Sequence, residues 1–345
     1  MENLRLEDIW RSKLINRNWS DRAANQYIYH LSQSTIQQYN RVILNYSKFC
    51  RSKGLEAITN SECVVVEYLC QLSDASDRPK SVLTSSLSAL NKCFTGVNLK
   101  PVSSEVHTFV QALIKSGTKS PMVKTPVMPV HVFLSLFNEW PSNDRLSIKD
   151  LRLKCICLLA LSFMARPSDF APRACLFDCD SFELSRFILS TDDVVFSDDG
   201  VKFTFHGIKN DYSRDGFSVS MPYRSDNEEK VDPVRALSCY IERTNYVRCT
   251  LSEKPLFLTL TRPYKAIEAS SVARILNDAI DRAGLKSQGF TAKCFRPTGA
   301  TNAIKLGLSS DVAKHIGRWK SSDTFEKHYV HTQVPSDYTV NLLNS

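Results

Sequence analysis

Residues 293–307 read KCFRPTGATNAIKLG, and residues 317–331 read GRWKSSDTFEKHYVH. The first stretch is a helix with both ends marked. Pro297 suits a first helical turn, where no amide hydrogen is needed, and Gly307 suits the stop. Arg296 therefore stands at a helix N-terminus, where unpaired N–H groups and the helix dipole favour an anion. Between the two stretches, SSDVAKHIG predicts a short helix from near Ser310 to Gly317. Further on, Asp323 and Glu326 have the D-x-x-E spacing of a capping box. That predicts a helix start and puts Tyr329 about two turns in. Arg296, Trp319 and Tyr329 thus fall at the ends of, or just inside, consecutive short helices. Tyr338 is the only other tyrosine after Tyr329, in a Pro-Ser-Asp segment with no helix to hold it.

Upstream, LLALSFMARPSDF (158–170) closes a long apolar helix, 149–165, on Arg166 and Pro167. An arginine at the edge of an apolar run is partly desolvated and needs an anion. Alternating strand patterns follow at 183–189, 194–197, 201–206 and 216–221, and Lys209 lies in the turn between the last two. Lys202 falls inside an alternating strand, so register favours Lys209 as the residue at the hairpin tip. Helices are expected at 130–139, 233–247 and 270–283. The order describes an α+β domain over 130–345, with a small antiparallel sheet inside a mostly helical body.

The first third is helical. In STIQQYNRVILNYSKFCRSKG, Ile36, Tyr39, Val42, Ile43, Tyr46 and Phe49 recur at three and four, with Arg41, Asn45, Lys48 and Arg51 on the other face. Ser34 or Thr35 can cap it and Gly54 can end it. Three more helices are expected near 61–72, 80–94 and 103–115, giving a four-helix domain over 1–115. Residues 116–129, rich in proline, lysine and small side chains, read as an extended exposed linker.

The 345 residues carry a net charge of +8. Residues 1–128 hold 16 Lys and Arg against 10 Asp and Glu, while the remainder holds 28 against 26, so the surplus is concentrated at the N-terminal side. That bias suggests a polyanion, nucleic acid first. Candidate contacts are Arg41, Lys48, Arg51, Arg78, Lys80, Lys124 and His328. No apolar run reaches the roughly 20 residues of a membrane span, and the acidic start MENLRLEDIW is not a signal peptide. The eleven cysteines lack zinc-site spacing and read as reduced thiols of an intracellular protein. No phosphate-binding glycine loop, metal-spaced carboxylate cluster or Ser/His/Asp pattern is visible, so neither a metal nor a cofactor is expected.

Taken singly, each marked residue has an equally good structural reading. Arg166 can pair with Asp169, Lys209 can be a solvated turn lysine, and Trp319 and Tyr329 can be core aromatics. In this order, however, ARPSD, a hairpin lysine, KCFRPTGA, GRW and HY resemble the tyrosine recombinase (phage integrase-like) superfamily. The resemblance runs over both domains, since the N-terminal unit looks like the family's SAM-like core-binding domain. Its closest flavour is that of eukaryotic DIRS-like and Crypton-like mobile elements.

The resemblance implies Arg166 and Arg296 as the two arginines, Lys209 as the hairpin lysine, Lys293 in the position where histidine is commoner, Trp319 at the His/Trp position and Tyr329 as nucleophile. Asp169 matches an acidic residue that orients from behind. Trp319 and Tyr329 are ten apart where nine is usual. The implied activity is metal-independent cleavage and rejoining of double-stranded DNA through a 3′-phosphotyrosine. The protein would clamp the duplex, free as a monomer or dimer and as a homo-tetramer on paired sites, in the nucleus of a eukaryotic host. Two other readings compete: a DNA-binding protein that keeps the fold with a degraded site, and a type IB topoisomerase-like relaxing enzyme, which uses nearly the same chemistry but against which the SAM-like N-terminal unit argues.

Overall fold

The computed structural model describes residues 5–77, 79–116, 125–177, 184–206, 216–224 and 229–329. The chain divides into two compact units, residues 1–123 with 174–185, and residues 124–173 with 186–345.

The first unit is all-helical apart from its share of a short β-hairpin. The four helices anticipated from periodicity are α3 (Gln33–Ser52), α4 (Glu62–Asp74), α5 (Pro79–Gly96) and α6 (Ser104–Ser116), and two more precede them, α1 (Leu6–Ile15) and α2 (Asp21–Ile28). These extra helices have their own reason to form. Leu6, Ile9, Trp10 and Leu14 of α1 are buried with Ala24 and Ile28 of α2 against Ile43 and Cys93. Gly96 permits the crossing, because a Cβ there would lie 2.5 Å from the Ile9 side chain. The second cluster of this unit joins Tyr46, Cys50, Tyr68, Leu69, Leu90, Phe94 and Val110. The cap of α3 is Ser32, whose hydroxyl accepts the Thr35 N–H (3.2 Å), two residues before the expected Ser34.

The second unit is built around α8 (Ile148–Ser162), whose Leu151 and Cys155 to Ala160 are all buried. A helix whose C-terminal half is apolar on every side belongs at the centre of a core. Around it stand α7 (Val130–Asn138), α9 (Pro233–Arg248) and α10 (Ala269–Arg282), followed by α11 (Phe295–Lys305), α12 (Ser310–Ile316) and α13 (Ser322–Tyr329). A two-stranded hairpin pairs β1 (Arg173–Phe177) with β2 (Leu184–Phe187); β1 carries no alternation that marks it in the sequence, and β2 is shorter than the 183–189 run. The antiparallel sheet runs in order β3 (Val194–Ser197), β4 (Gly200–Phe205) and β5 (Phe217–Pro222), with Val194 opposite Phe203 and Phe203 opposite Val219. Those residues and Phe205 face the core, while Val195 and Lys202 are exposed. Lys202 is thus a solvent-face strand residue.

The expected linker is not exposed to its end. Met128 is buried, and its N–H donates to Thr298 Oγ1 (2.9 Å), because an apolar side chain ahead of α7 finds the same core.

Candidate active site

The site begins where α8 stops. The Ala165 N–H reaches back to the Ala160 carbonyl (2.9 Å), and Met164 takes a left-handed φ of 49°. This is a Schellman turn with methionine in the position glycine normally fills. Arg166 follows as N-cap of a 3₁₀ turn at Pro167–Phe170. Asp169 lies in that turn, only 4% exposed. Its Oδ2 accepts the Arg166 N–H (2.9 Å) and Arg318 Nη2 (2.6 Å), and its Oδ1 accepts Arg173 Nη2 (3.2 Å). Burial pushes the Asp169 carboxyl up. The Arg318 and Arg173 guanidiniums and the Arg166 amide outweigh that push, so its pKa lies below the ordinary value.

The carboxylate is therefore taken up by two other arginines. The guanidinium of Arg166, half-buried, has no hydrogen bond or ion pair among the described residues. The Arg166–Asp169 ion pair that the spacing equally permits does not form; the two residues meet only through the backbone amide.

Arg296 is the second cation here. It is the second residue of α11, which starts two residues before Pro297 rather than at it. That start is tolerated because the first turn needs no internal N–H donors. The guanidinium is 4% exposed, donates to the Met164 carbonyl and to the Gly317 carbonyl (2.6 Å), and lies 3.7 Å from the centre of the Trp319 ring. It thereby locks the end of α8 to the end of α12. Gly299 makes the approach possible, since a Cβ there would sit 2.4 Å from the Leu161 carbonyl oxygen.

The end of α12 is a second Schellman turn. Trp319 N–H bonds the Lys314 carbonyl (2.9 Å) and Arg318 N–H the His315 carbonyl (3.0 Å). The left-handed residue is Arg318, φ 58°, and not Gly317, which has an ordinary φ of −82°. Gly317 is required for space: a Cβ would meet the Trp319 ring at 1.8 Å. Arg318 takes the unfavourable backbone because it turns its side chain inward, to Asp169 and to within 4.3 Å of the Phe205 ring centre.

α13 then starts at Ser322, capped by Ser321 Oγ, which accepts the Thr324 N–H (3.3 Å). The Asp323–Glu326 box is displaced because serine two positions earlier already supplies the acceptor. Phe325 anchors the helix, fully buried with Met164, Ala300 and Ala313 and edge-on to Trp319. Tyr329 closes α13, four residues beyond Phe325; its side chain and that of His328 lie outside the described part.

Of the residues marked in the sequence, Arg166, Asp169, Arg296 and Trp319 are brought together. Lys293 sits exposed on the 3₁₀ turn Ala292–Cys294 ahead of α11. Lys209 falls in the β4–β5 connection, and it, Arg78 and Lys124 are outside the described residues. Arg41, Lys48 and Arg51 are exposed on α3 and Lys80 on α5, and none has an ion pair among the described residues. Sequence reasoning missed Arg318 and Arg173. Arg173 carries the signal of an i+4 spacing from Asp169, but Arg318 is 149 residues from its partner and carries none. Among the described residues no group of His, Cys, Asp and Glu is placed to hold a metal, and no described helix is long and apolar enough to cross a membrane.

No protein-family model and no curated protein matches the chain. Solved structures do. The XerH site-specific recombinase, bound to palindromic difH substrate in a post-cleavage complex, superposes with a TM-score of 0.63 at 9% identity, over 99% of this chain and 95% of that one. XerH in its pre-cleavage complex with difH gives 0.60 at 12%, over 98% and 94%. The Tn1549 transposon integrase in complex with transposon right end DNA gives 0.54 at 12%, over 99% of both chains. At such identities the likeness is one of fold: mostly helical with a small antiparallel sheet, the chain has the tyrosine recombinase fold.

Proposed function

We propose that the protein is a site-specific DNA recombinase that cleaves and rejoins duplex DNA through a covalent 3′-phosphotyrosine at Tyr329. The observation that carries this reading is the state of Arg166. It is a half-buried guanidinium without a partner among the described residues, beside a carboxylate already held by two other arginines. A cation in that position calls for an anion from outside, and a phosphodiester matches the guanidinium fork. The fold supports the same partner, since the XerH structures hold difH substrate and the Tn1549 integrase holds transposon DNA.

Arg166 and Arg296 neutralise charge on the two non-bridging oxygens as the phosphorus becomes five-coordinate. Trp319 donates its Nε1–H to the phosphate and packs the helix that ends in Tyr329. The Tyr329 oxygen bonds phosphorus, its proton passing to water, and the bond to the 5′ oxygen breaks. Lys209 gives that oxygen a proton. The reverse reaction with another strand's 5′-hydroxyl reseals the duplex, so neither metal nor cofactor is consumed. Lys293 contributes charge, and Asp169 orients from behind.

Residues 1–115 act as the core-binding domain, 116–129 as the linker and 130–345 as the catalytic domain, with Arg41, Lys48, Arg51, Arg78, Lys80, Lys124 and His328 on the backbone phosphates. The setting is a eukaryotic mobile element of DIRS-like or Crypton-like kind, with a homo-tetramer on paired sites in the nucleus. The test is a nicked duplex, selected from a randomised pool by binding, whose cleavage releases a short strand and traps the intermediate. Wild type forms a protein–DNA adduct stable to denaturant. Binding without any adduct would leave only a DNA-binding protein.

A further inference from the structure

Arg318 is closed off from solvent, its side chain only 3% exposed. The guanidinium donates to Asp169 Oδ2 (2.6 Å) and to the Ile316 carbonyl (3.3 Å), and its carbon lies 4.3 Å from the centre of the Phe205 ring. A group so enclosed cannot touch a DNA phosphate, so what it does for the site it does through Asp169. Its circumstances are not those of a residue kept for stability. The backbone is left-handed, φ 58°, and Nε is buried without a hydrogen-bond partner among the described residues. Both features cost free energy, and a buried ion pair is often no more stable than an apolar pair of the same volume.

The use of the pair lies on the other side of the carboxylate. Asp169 Oδ2, the atom that Arg318 holds, also accepts the Arg166 N–H (2.9 Å), while Oδ1 is occupied by Arg173 (3.2 Å). Against the burial that pushes the Asp169 carboxyl up, Arg318 is the strongest of the groups that hold it ionised, ahead of Arg173 and the Arg166 amide. With Arg318 in place the carboxylate is neutralised from behind, and the Arg166 guanidinium makes no ion pair with it. Without Arg318, Oδ2 would be a buried anion three residues from a half-buried guanidinium, and a close ion pair between them is the ready way to compensate it.

We propose that Arg318 is a positioning residue that withholds Asp169 from Arg166: by occupying Oδ2 it leaves the Arg166 guanidinium available to a phosphate oxygen. This deepens the recombinase reading above and rests on it.

The test is single-turnover cleavage by the full chain of the selected nicked duplex in three forms. One has an ordinary phosphodiester at the cleaved position. In the other two a methyl group replaces one or the other non-bridging oxygen, which removes the negative charge that Arg166 serves. Arg318→Met should cleave the phosphodiester about 100-fold more slowly than wild type, the size of one lost oxyanion donor. On one of the two methylphosphonates it should stay within about threefold of wild type, because the oxygen that needs the cation is gone. Adding Asp169→Asn keeps an acceptor for the Arg166 amide and drops the charge. The double variant should therefore cleave the phosphodiester at least about tenfold faster than Arg318→Met, a coupling of ordinary size for neighbouring residues. Equal losses on all three duplexes would make Arg318 a purely structural residue and overturn the proposal. So would a phosphodiester-selective loss that Asp169→Asn leaves unrelieved, which would put the action of Arg318 on Trp319 and Arg296 instead. Should Arg318→Met not fold, the double variant, with neither charge of the pair, decides: a selective loss of about 100-fold in it overturns the proposal, and none supports it. If wild type cleaves none of the three, the recombinase reading itself fails and takes this inference with it.

Discussion

Asp169 binds two arginine side chains and one backbone amide from a position 4% exposed. Removing one partner of such a buried set leaves uncompensated charge, so Asp169→Asn should destabilise the second unit by about 3–5 kcal/mol. The pH dependence has a definite sign. A carboxyl whose folded pKa is lowered adds stability above its unfolded value, about 4, and loses it as pH falls through the lowered folded value. Denaturant melts of wild type should therefore weaken below about pH 4, and those of Asp169→Asn should lack that part of the loss. Parallel acid limbs in the two proteins would contradict the assignment. In the sequence, Arg166 and Asp169 look like each other's partner, because spacing of three is the only relation visible there. The partner that matters, Arg318, comes from the far end of the chain, and long-range pairing of one carboxylate with one of many arginines leaves no local trace.

At the scale of elements, the ends of α8 and α12 are the strained points of the second unit. Both Schellman turns put a side chain, Met164 or Arg318, where φ is positive, whereas α11 ends with Gly307 at φ 88°. Non-glycine residues in that region cost about 1–3 kcal/mol and persist where surrounding contacts over-determine them. Here the Met164 carbonyl holds Arg296, and the Arg318 side chain holds Asp169. The helices themselves were legible from periodicity, and so were their stops at Gly307 and Gly317. What Gly317 is for was not, because its reason is the Trp319 ring and not its own backbone. Gly317→Ala should cost about 1–3 kcal/mol by overpacking and shift the tryptophan fluorescence. Gly307→Ala, with open space around it, should cost about 1 kcal/mol through backbone strain alone. Equal effects with unchanged fluorescence would argue against the ring contact. α8 carries a further strain. Lys154 is wholly buried, bonded to Asn143 Oδ1 (2.7 Å), and burial lowers its pKa to about 8. A lysine lowered in the folded state binds fewer protons there than when unfolded, so wild type should gain stability between about pH 8 and about 10. Lys154→Met should remove that gain and raise the melting temperature at pH 7; a gain that persists would show that another group titrates.

Over the whole molecule, the sequence divides its labour unevenly. The N-terminal side holds the charge surplus, and its α3 presents Arg41, Lys48 and Arg51 to solvent without an ion pair among the described residues. The C-terminal side holds the ordered arginine and tryptophan motifs. Its fold was readable because those motifs sit at helix ends, where proline, glycine and serine mark the chain. The two helices added before α3 were less readable, since each is short and finds stability only by packing on Ile43 and Cys93. The central claim concerns one oxygen atom, and the direct measurement is to trap the adduct on the selected nicked duplex, digest it, and locate the modified residue by mass spectrometry. The account predicts a 3′-phosphate joined to Tyr329 and no adduct from Tyr329→Phe. An adduct that survives that substitution, or one carried by Tyr338, would contradict it.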